Sequence, residues 1–386
     1  MRGATLLGVL SVACSGAAAD APLPKALWLT YARSAPTHVT VNWVTERSEA
    51  SAVRYGPDEA CGNRAAAEKA ATLHHVEVPL PEKGAFYYRL ETTEGLTQTV
   101  AFKGLPDDEL RVAMVADWGF AGANVSAILK DQIHLLVTGG DHVAALHGAG
   151  VTGDAARTNL LPHLNLLGRN PLLFRHVPLM PVLGNHDREI RPRGDPKTLK
   201  EPVYDVDATA YRQLFPLPDK GWAWRFAFPA FDVRLVGLDL NHVQDWGTFH
   251  QTCHDYGEGS EQLAWYKGVM AEQDSRFTLT LNNEKSSVVR GLAKGEWARQ
   301  MRKGSLTATG FGYFAERAEE DGYPWFNTSL NGKGDVYRDP LSKFLARENT
   351  YLLFRFKRGA SRMRVEIKRL ADGQVLDASE WPQSRL

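Results

Sequence analysis

The chain has 386 residues, more than one ordinary core organises and enough for two domains; 44% hydrophobic and 23% charged residues exclude a disordered or fibrous chain. Lysine plus arginine equal aspartate plus glutamate at 45 each, so bulk charge provides no attraction to nucleic acid or to an acidic membrane surface.

Residues 1–19 read as an export signal. Arg2 is the only charge, an apolar stretch runs from Ala4 to Ala13, and Ala17-Ala18-Ala19 offers a small-residue cleavage site before Asp20. The expectation is a periplasmic or secreted protein; lipid modification of Cys14 is the alternative, and would tether it. No later run is long enough to cross a bilayer as a helix. After the signal only Cys61 and Cys253 remain; export permits them to pair, and two unpaired thiols are the other reading.

Over 20–105 the pattern is short strands between turn residues: 27–31, 39–44 with period-two alternation, 52–57, 75–78, 86–90 and 97–102. Such spacing predicts a β-sandwich with a scaffold role. Gly104-Leu105-Pro106-Asp107-Asp108-Glu109 is the predicted linker, and a second domain occupies 110–386. There, three apolar runs each stop at a turn carrying oxygen donors. Residues 111–116 end in Asp117-Trp118-Gly119, 133–138 in Gly139-Gly140-Asp141, and the run through Leu183 in Gly184-Asn185-His186-Asp187. Buried strands that open into loops place ligands beyond their carboxyl ends, so Asp117, Asp141 and Asn185 are expected to converge. Further strands are predicted at 222–228, 233–238, 277–281, 351–357 and 363–370, with helices at 124–130, 208–215 and 260–273.

In this order and at these spacings, Asp117-Trp118-Gly119, Gly140-Asp141-His142 and Gly184-Asn185-His186-Asp187 resemble the motifs of the calcineurin-like metallophosphoesterases, and within them the purple acid phosphatases. The resemblance implies an α/β domain of two facing mixed sheets flanked by helices. Before it would stand a fibronectin III-like sandwich, which Trp43-Val44-Thr45 and Arg54-Tyr55-Gly56 resemble. It also implies hydrolysis of phosphate esters by metal-activated water. Asp117 would bind one metal, Asp141 bridge two and Asn185 bind the second. His186 would contact the phosphate or protonate the leaving group, with Asp187 orienting its ring.

The resemblance is broken elsewhere. A metal-binding histidine expected after the strand 277–281 is replaced by Asn282-Asn283-Glu284. The two histidines of a G-H-x-H motif fall on Phe311 and Tyr313, and the tyrosine expected three residues after Asp141 is Ala144. Asp117, Asp141 and Asn185, with Asn283 or Glu284, leave an oxygen-donor set that suits magnesium, manganese or calcium, whereas the family resemblance implies iron and zinc. Unmatched His142, His147, His242 and His254 fall on loops near the strand ends. The loop Arg188-Glu189-Ile190-Arg191-Pro192-Arg193 offers guanidinium groups for a substrate phosphate, Arg188 and Arg191 first. The missing histidines support a second reading, a catalytically impaired protein of the same fold acting as a binding or structural module.

Overall fold

The structure is a computed structural model and describes residues 20–384 except 123, 196 and 273; the export signal and Cys14 lie outside the described residues. Residues 20–102 form two antiparallel sheets, one of Leu27–Thr30, His38–Glu49 and Ala71–Pro79, the other built on Ala52–Gly56 and Phe86–Thr92. The period-two pattern of Ala71–Pro79 buries His74, Val76 and Val78 and exposes the residues between them. Asn63–Ala66 is an edge strand that the sequence did not announce: it is short, mostly exposed and without β-branched or aromatic residues, and forms because Ala52–Gly56 offers it a ladder. Cys61 and Cys253 are both buried and unpaired.

The rest of the chain builds two larger mixed sheets. The six-stranded sheet has the order Leu179–Met180, Leu135–Thr138, Glu109–Val115, Thr350–Lys357, Arg362–Arg369, Val375–Pro382. At the heart of the seven-stranded sheet, Val233–Asn241, Phe277–Asn283, Leu306–Thr309 and Tyr323–Asn327 run parallel. Strands buried on both faces read as continuous apolar runs, and Glu109–Val115 shows why. Val112 and Met114 enter the core shared with Leu235, Leu279 and Ala308 of the opposite sheet, while Ala113 and Val115 pack outward on Ile128, Leu173 and Phe174. The helices are short; Glu261–Ala271, whose Ser260 hydroxyl accepts the Leu263 N–H, is the longest among the described residues.

The N-terminal sheets are not a loosely tethered module. Leu27, Val41 and Trp43 belong to the same apolar core as Val112 and Phe354. Trp28 Nε1 donates to the Leu214 carbonyl at 3.2 Å, and the Tyr88 hydroxyl to that of Arg175 at 2.8 Å.

Candidate metal centre

Every strand that feeds the site delivers its residues from its carboxyl end. Asp117 follows Glu109–Val115, Asp141 follows Leu135–Thr138, and Asn185 follows Leu179–Met180; from the facing sheet come His242, Asn283 and the turn Gly310-Phe311-Gly312-Tyr313. They line one cavity of about 150 Å³, together with His186, Arg193, Asp335 and Tyr337. Asp117 and Asp141 hold left-handed backbone, φ 58° and 59°, which side-chain-bearing residues adopt only when the surroundings compel it. Here the compulsion is reciprocal. Asp117 N–H donates to the Gly140 carbonyl at 3.2 Å, and Gly119 N–H to the Asp141 carbonyl at 3.0 Å.

Gly184 is required by close approach: a Cβ there would stand 2.2 Å from Asp141 Oδ1 and 2.4 Å from its backbone nitrogen. Gly184→Ala is therefore expected to push Asp141 out of place. It should weaken metal binding by roughly 10–100-fold, the range for losing a ligand's support, as measured by calorimetric titration; unchanged affinity would count against Asp141 as a ligand.

Two carboxylates in so small a cavity are costly unless a cation joins them. Burial, and then the charge of Asp141, pushes the Asp117 carboxyl well above the usual range. Burial raises Asp141 as well, with His186 opposing it. Asp117 Oδ2 finds no hydrogen-bond partner, and neither do Oδ1 and Nδ2 of the fully buried Asn185; the Tyr204 hydroxyl lies toward that amide without closing a bond of ordinary geometry. Orphaned oxygen atoms on the Asp117 and Asn185 loops, beside the Asp141 carboxylate on a third, fit a hard divalent cation.

Several sequence expectations are corrected. Asp187 does not orient His186. It is fully buried, and its oxygens accept the backbone N–H groups of Asp141, His142 and Gly184 at 2.9, 2.7 and 2.9 Å, tying the two ligand loops together. The His186 ring is held instead by the Ala144 carbonyl, 2.7 Å from Nδ1, and by Glu189, 3.3 Å from the same nitrogen. Arg188 is wholly buried and paired with Asp239 at 2.5 Å, out of a substrate's reach. Arg191 pairs with Glu201 and lies against Gly153. The loop's third arginine, Arg193, faces the cavity, its Nη2 2.8 Å from His186 Nε2 and its Nε 3.0 Å from Glu189.

Glu284 also stays outside the cavity, because its two oxygens accept the N–H groups of Val243 and Lys285 at 2.9 and 2.8 Å. Asn283 does line it, with its amide nitrogen donated to the carbonyls of Gly139 and Gly310, which leaves Oδ1 as its free donor atom. Of the unmatched histidines, His242 reaches the cavity, whereas His147 pairs with Glu189 and His254 with Asp239. Burial, followed by the charges of Arg193, His186 and Lys285, pushes the His242 imidazole down to about 3, so the ring is neutral. Tyr313 also lines the cavity; burial and the two aspartates push its phenol up to about 12. Asp335 and Tyr337 carry no motif, and only the folding back of 331–341 brings them to the cavity.

No family model matches the sequence, and no curated protein matches it. Among solved structures, the fold is similar to that of purple acid phosphatase PPD1 from seeds of yellow lupin (Lupinus luteus). The TM-score is 0.67 at 16% identity, over 92% of this chain and 73% of that one. It is equally similar to the structure of PhoD, with a TM-score of 0.65 at 11% identity over 96% of this chain and 92% of that one. The order of the sheets, the convergence of Asp117, Asp141 and Asn185, and these two likenesses agree: the chain has the fold of the metallophosphoesterase superfamily.

Proposed function

We propose that this protein hydrolyses phosphate esters at the cavity, using one or two divalent cations held by Asp117, Asp141 and Asn185. One observation carries the reading: buried carboxylates and an unpartnered buried amide from three separate loops share a small pocket whose rim bears a guanidinium and an imidazole. When bound, the cation would polarise the phosphoryl oxygens and make water a better nucleophile at neutral pH.

The remaining work falls to the chain's own groups. His186 donates Nδ1–H to the Ala144 carbonyl and turns Nε2 into the cavity, where it accepts from the Arg193 guanidinium; a substrate phosphate that draws Arg193 away would free Nε2 to serve the leaving-group oxygen. The buried carboxylate of Glu189 lies 3.3 Å from His186 Nδ1 and 3.0 Å from Arg193 Nε, so it positions both the ring and the guanidinium. Arg193 grips phosphoryl oxygens as a planar fork. Lys285, 4.0 Å above the Tyr337 ring and 5.0 Å above Phe311, adds positive charge beside the aromatic wall. Oxygen donors alone favour magnesium, manganese or calcium; the neutral His242 ring adds a nitrogen that opens the site to zinc or iron.

The impaired-enzyme reading keeps one observation in its favour: Phe311 lines the cavity and offers no ligand atom. A chromogenic phosphate monoester assayed with each of Mg, Mn, Ca, Zn and Fe separates the two. Metal-dependent turnover that a chelator removes supports the enzyme, and phosphate binding without turnover under any metal supports the binding module. Arg193→Met is expected to raise KM by roughly 10–100-fold, the worth of one charge-assisted contact, with a smaller change in kcat. An unchanged KM would remove Arg193 from substrate binding. The same reading makes residues 20–105 a fibronectin III-like scaffold, 110–386 the catalytic domain, and the protein an exported one. No helix among the described residues is long and apolar enough to cross a membrane.

A further inference from the structure

Behind the cavity, on the far side of the Asp187 carboxylate, stand two histidines that the phosphoesterase reading leaves without a task. His142 and His163 are 2% and 0% exposed, and one ligand atom from each lies within 4.8 Å of the others in a set completed by Asp187. His142 Nδ1 is 2.8 Å from Asp187 Oδ1, and His163 Nε2 is 3.7 Å from the same oxygen. Neither contact is a hydrogen bond: His142 Nδ1 and both ring nitrogens of His163 lack a partner of hydrogen-bond geometry.

An imidazole sealed from water with neither nitrogen satisfied is expensive, and the helix Leu161–Arg169 needs only an apolar residue at that core position. The surroundings show a built socket rather than a misplaced ring. Tyr211 and Phe215 pack around the pair, with Phe215 5.8 Å from His163 and Tyr211 6.1 Å from His142 between ring centres. His142 Nε2 bonds the Thr138 hydroxyl, which fixes the ring and turns Nδ1 toward Asp187. An Nδ1 lone pair and a carboxylate oxygen 2.8 Å apart without hydrogen-bond geometry repel each other unless a cation joins them.

We propose that His142, His163 and Asp187 form a second metal site, a buried structural site selective for zinc, distinct from the oxygen-rich cavity. Two imidazoles and one carboxylate are a zinc donor set, and one enclosed water completes a tetrahedron. Its purpose follows from Asp187, whose oxygens also hold the N–H groups of Asp141 and Gly184. Zinc on this carboxylate would clamp both loops that carry the cavity's ligands, so the structural ion sets the geometry of the reactive site without touching substrate.

The test uses the full-length chain produced with zinc in the medium and dialysed against a chelator of moderate strength. Elemental analysis is expected to find about one zinc per chain, held because the three ligands are sealed from solvent. That ion should be lost in His163→Gln and retained in Asp117→Asn. Crystals of the native protein measured at the zinc absorption edge should show an anomalous peak between the two rings, a readout that needs no variant and stands if His163→Gln fails to fold. Absence of that peak, or zinc that survives in His163→Gln and disappears in Asp117→Asn, overturns the proposal while leaving the phosphoesterase reading intact.

Discussion

Asp141→Ala should abolish metal-dependent phosphate-ester turnover, with kcat/KM falling roughly a thousandfold or more, because it removes the central carboxylate of the cavity and with it several kcal/mol of charge stabilisation. The loss is larger than for an ordinary ligand because Asp141 Oδ1 also accepts the His186 N–H at 3.1 Å, so the loop presenting the imidazole loses its anchor. The metal-free variant is nevertheless expected to melt no lower than the metal-free native protein. Burial and neighbouring charge make both aspartates unfavourable while no cation joins them, and removing one relieves the other. Steady-state kinetics beside thermal melts in chelator check both halves. A variant that keeps its activity sinks the reading; one that loses activity only because it is unfolded does not support it.

Arg188→Met should act oppositely, on stability before chemistry. Arg188 and Asp239 are both wholly buried, 2.5 Å apart, and Asp239 Oδ2 also holds the backbone N–H and ring of His254 at 3.0 and 2.7 Å. Removing the guanidinium strands a buried carboxylate, which costs about 3–5 kcal/mol. Burial alone would raise the Asp239 carboxyl; the Arg188 charge and the His254 ring outweigh it and hold the carboxyl below its ordinary value. A folded-state carboxyl held low contributes stability above the unfolded value, near 3.9, and loses it as pH falls through the folded value. The gap between native and variant should therefore be widest at neutral pH and narrow below about pH 4, as followed by urea unfolding. A gap that stays constant into acid would show that Arg188 acts through packing alone.

These two residues also mark what the sequence could and could not disclose. Asp117, Asp141 and Asn185 were legible because each ends an apolar run, and the position of a strand's end is a local property of the chain. Arg188, two residues from His186, looked equally available for phosphate, yet its direction is set by Asp239, 51 residues on, in the facing sheet. Asp187 was misread for the same reason: its neighbour in sequence is His186, but its partners are backbone groups of the Asp141 loop. Arg193, His242 and the pair Asp335 and Tyr337 reach the cavity from three loops with no shared spacing. His163 offered only one polar residue among several in the helix Leu161–Arg169, without a sign that His142 would lie beside it.

By itself, then, the sequence determined most of the strands, their buried faces and the donors at their ends, because alternation, apolar runs and turn residues act over a few positions; edge strands such as Asn63–Ala66 were left to the partner ladder. Only the tertiary structure decided which donors meet, which arginine faces solvent and which carboxylate steadies which ring. Those outcomes depend on partners dozens of residues away, whose desolvation and pairing energies exceed any local preference.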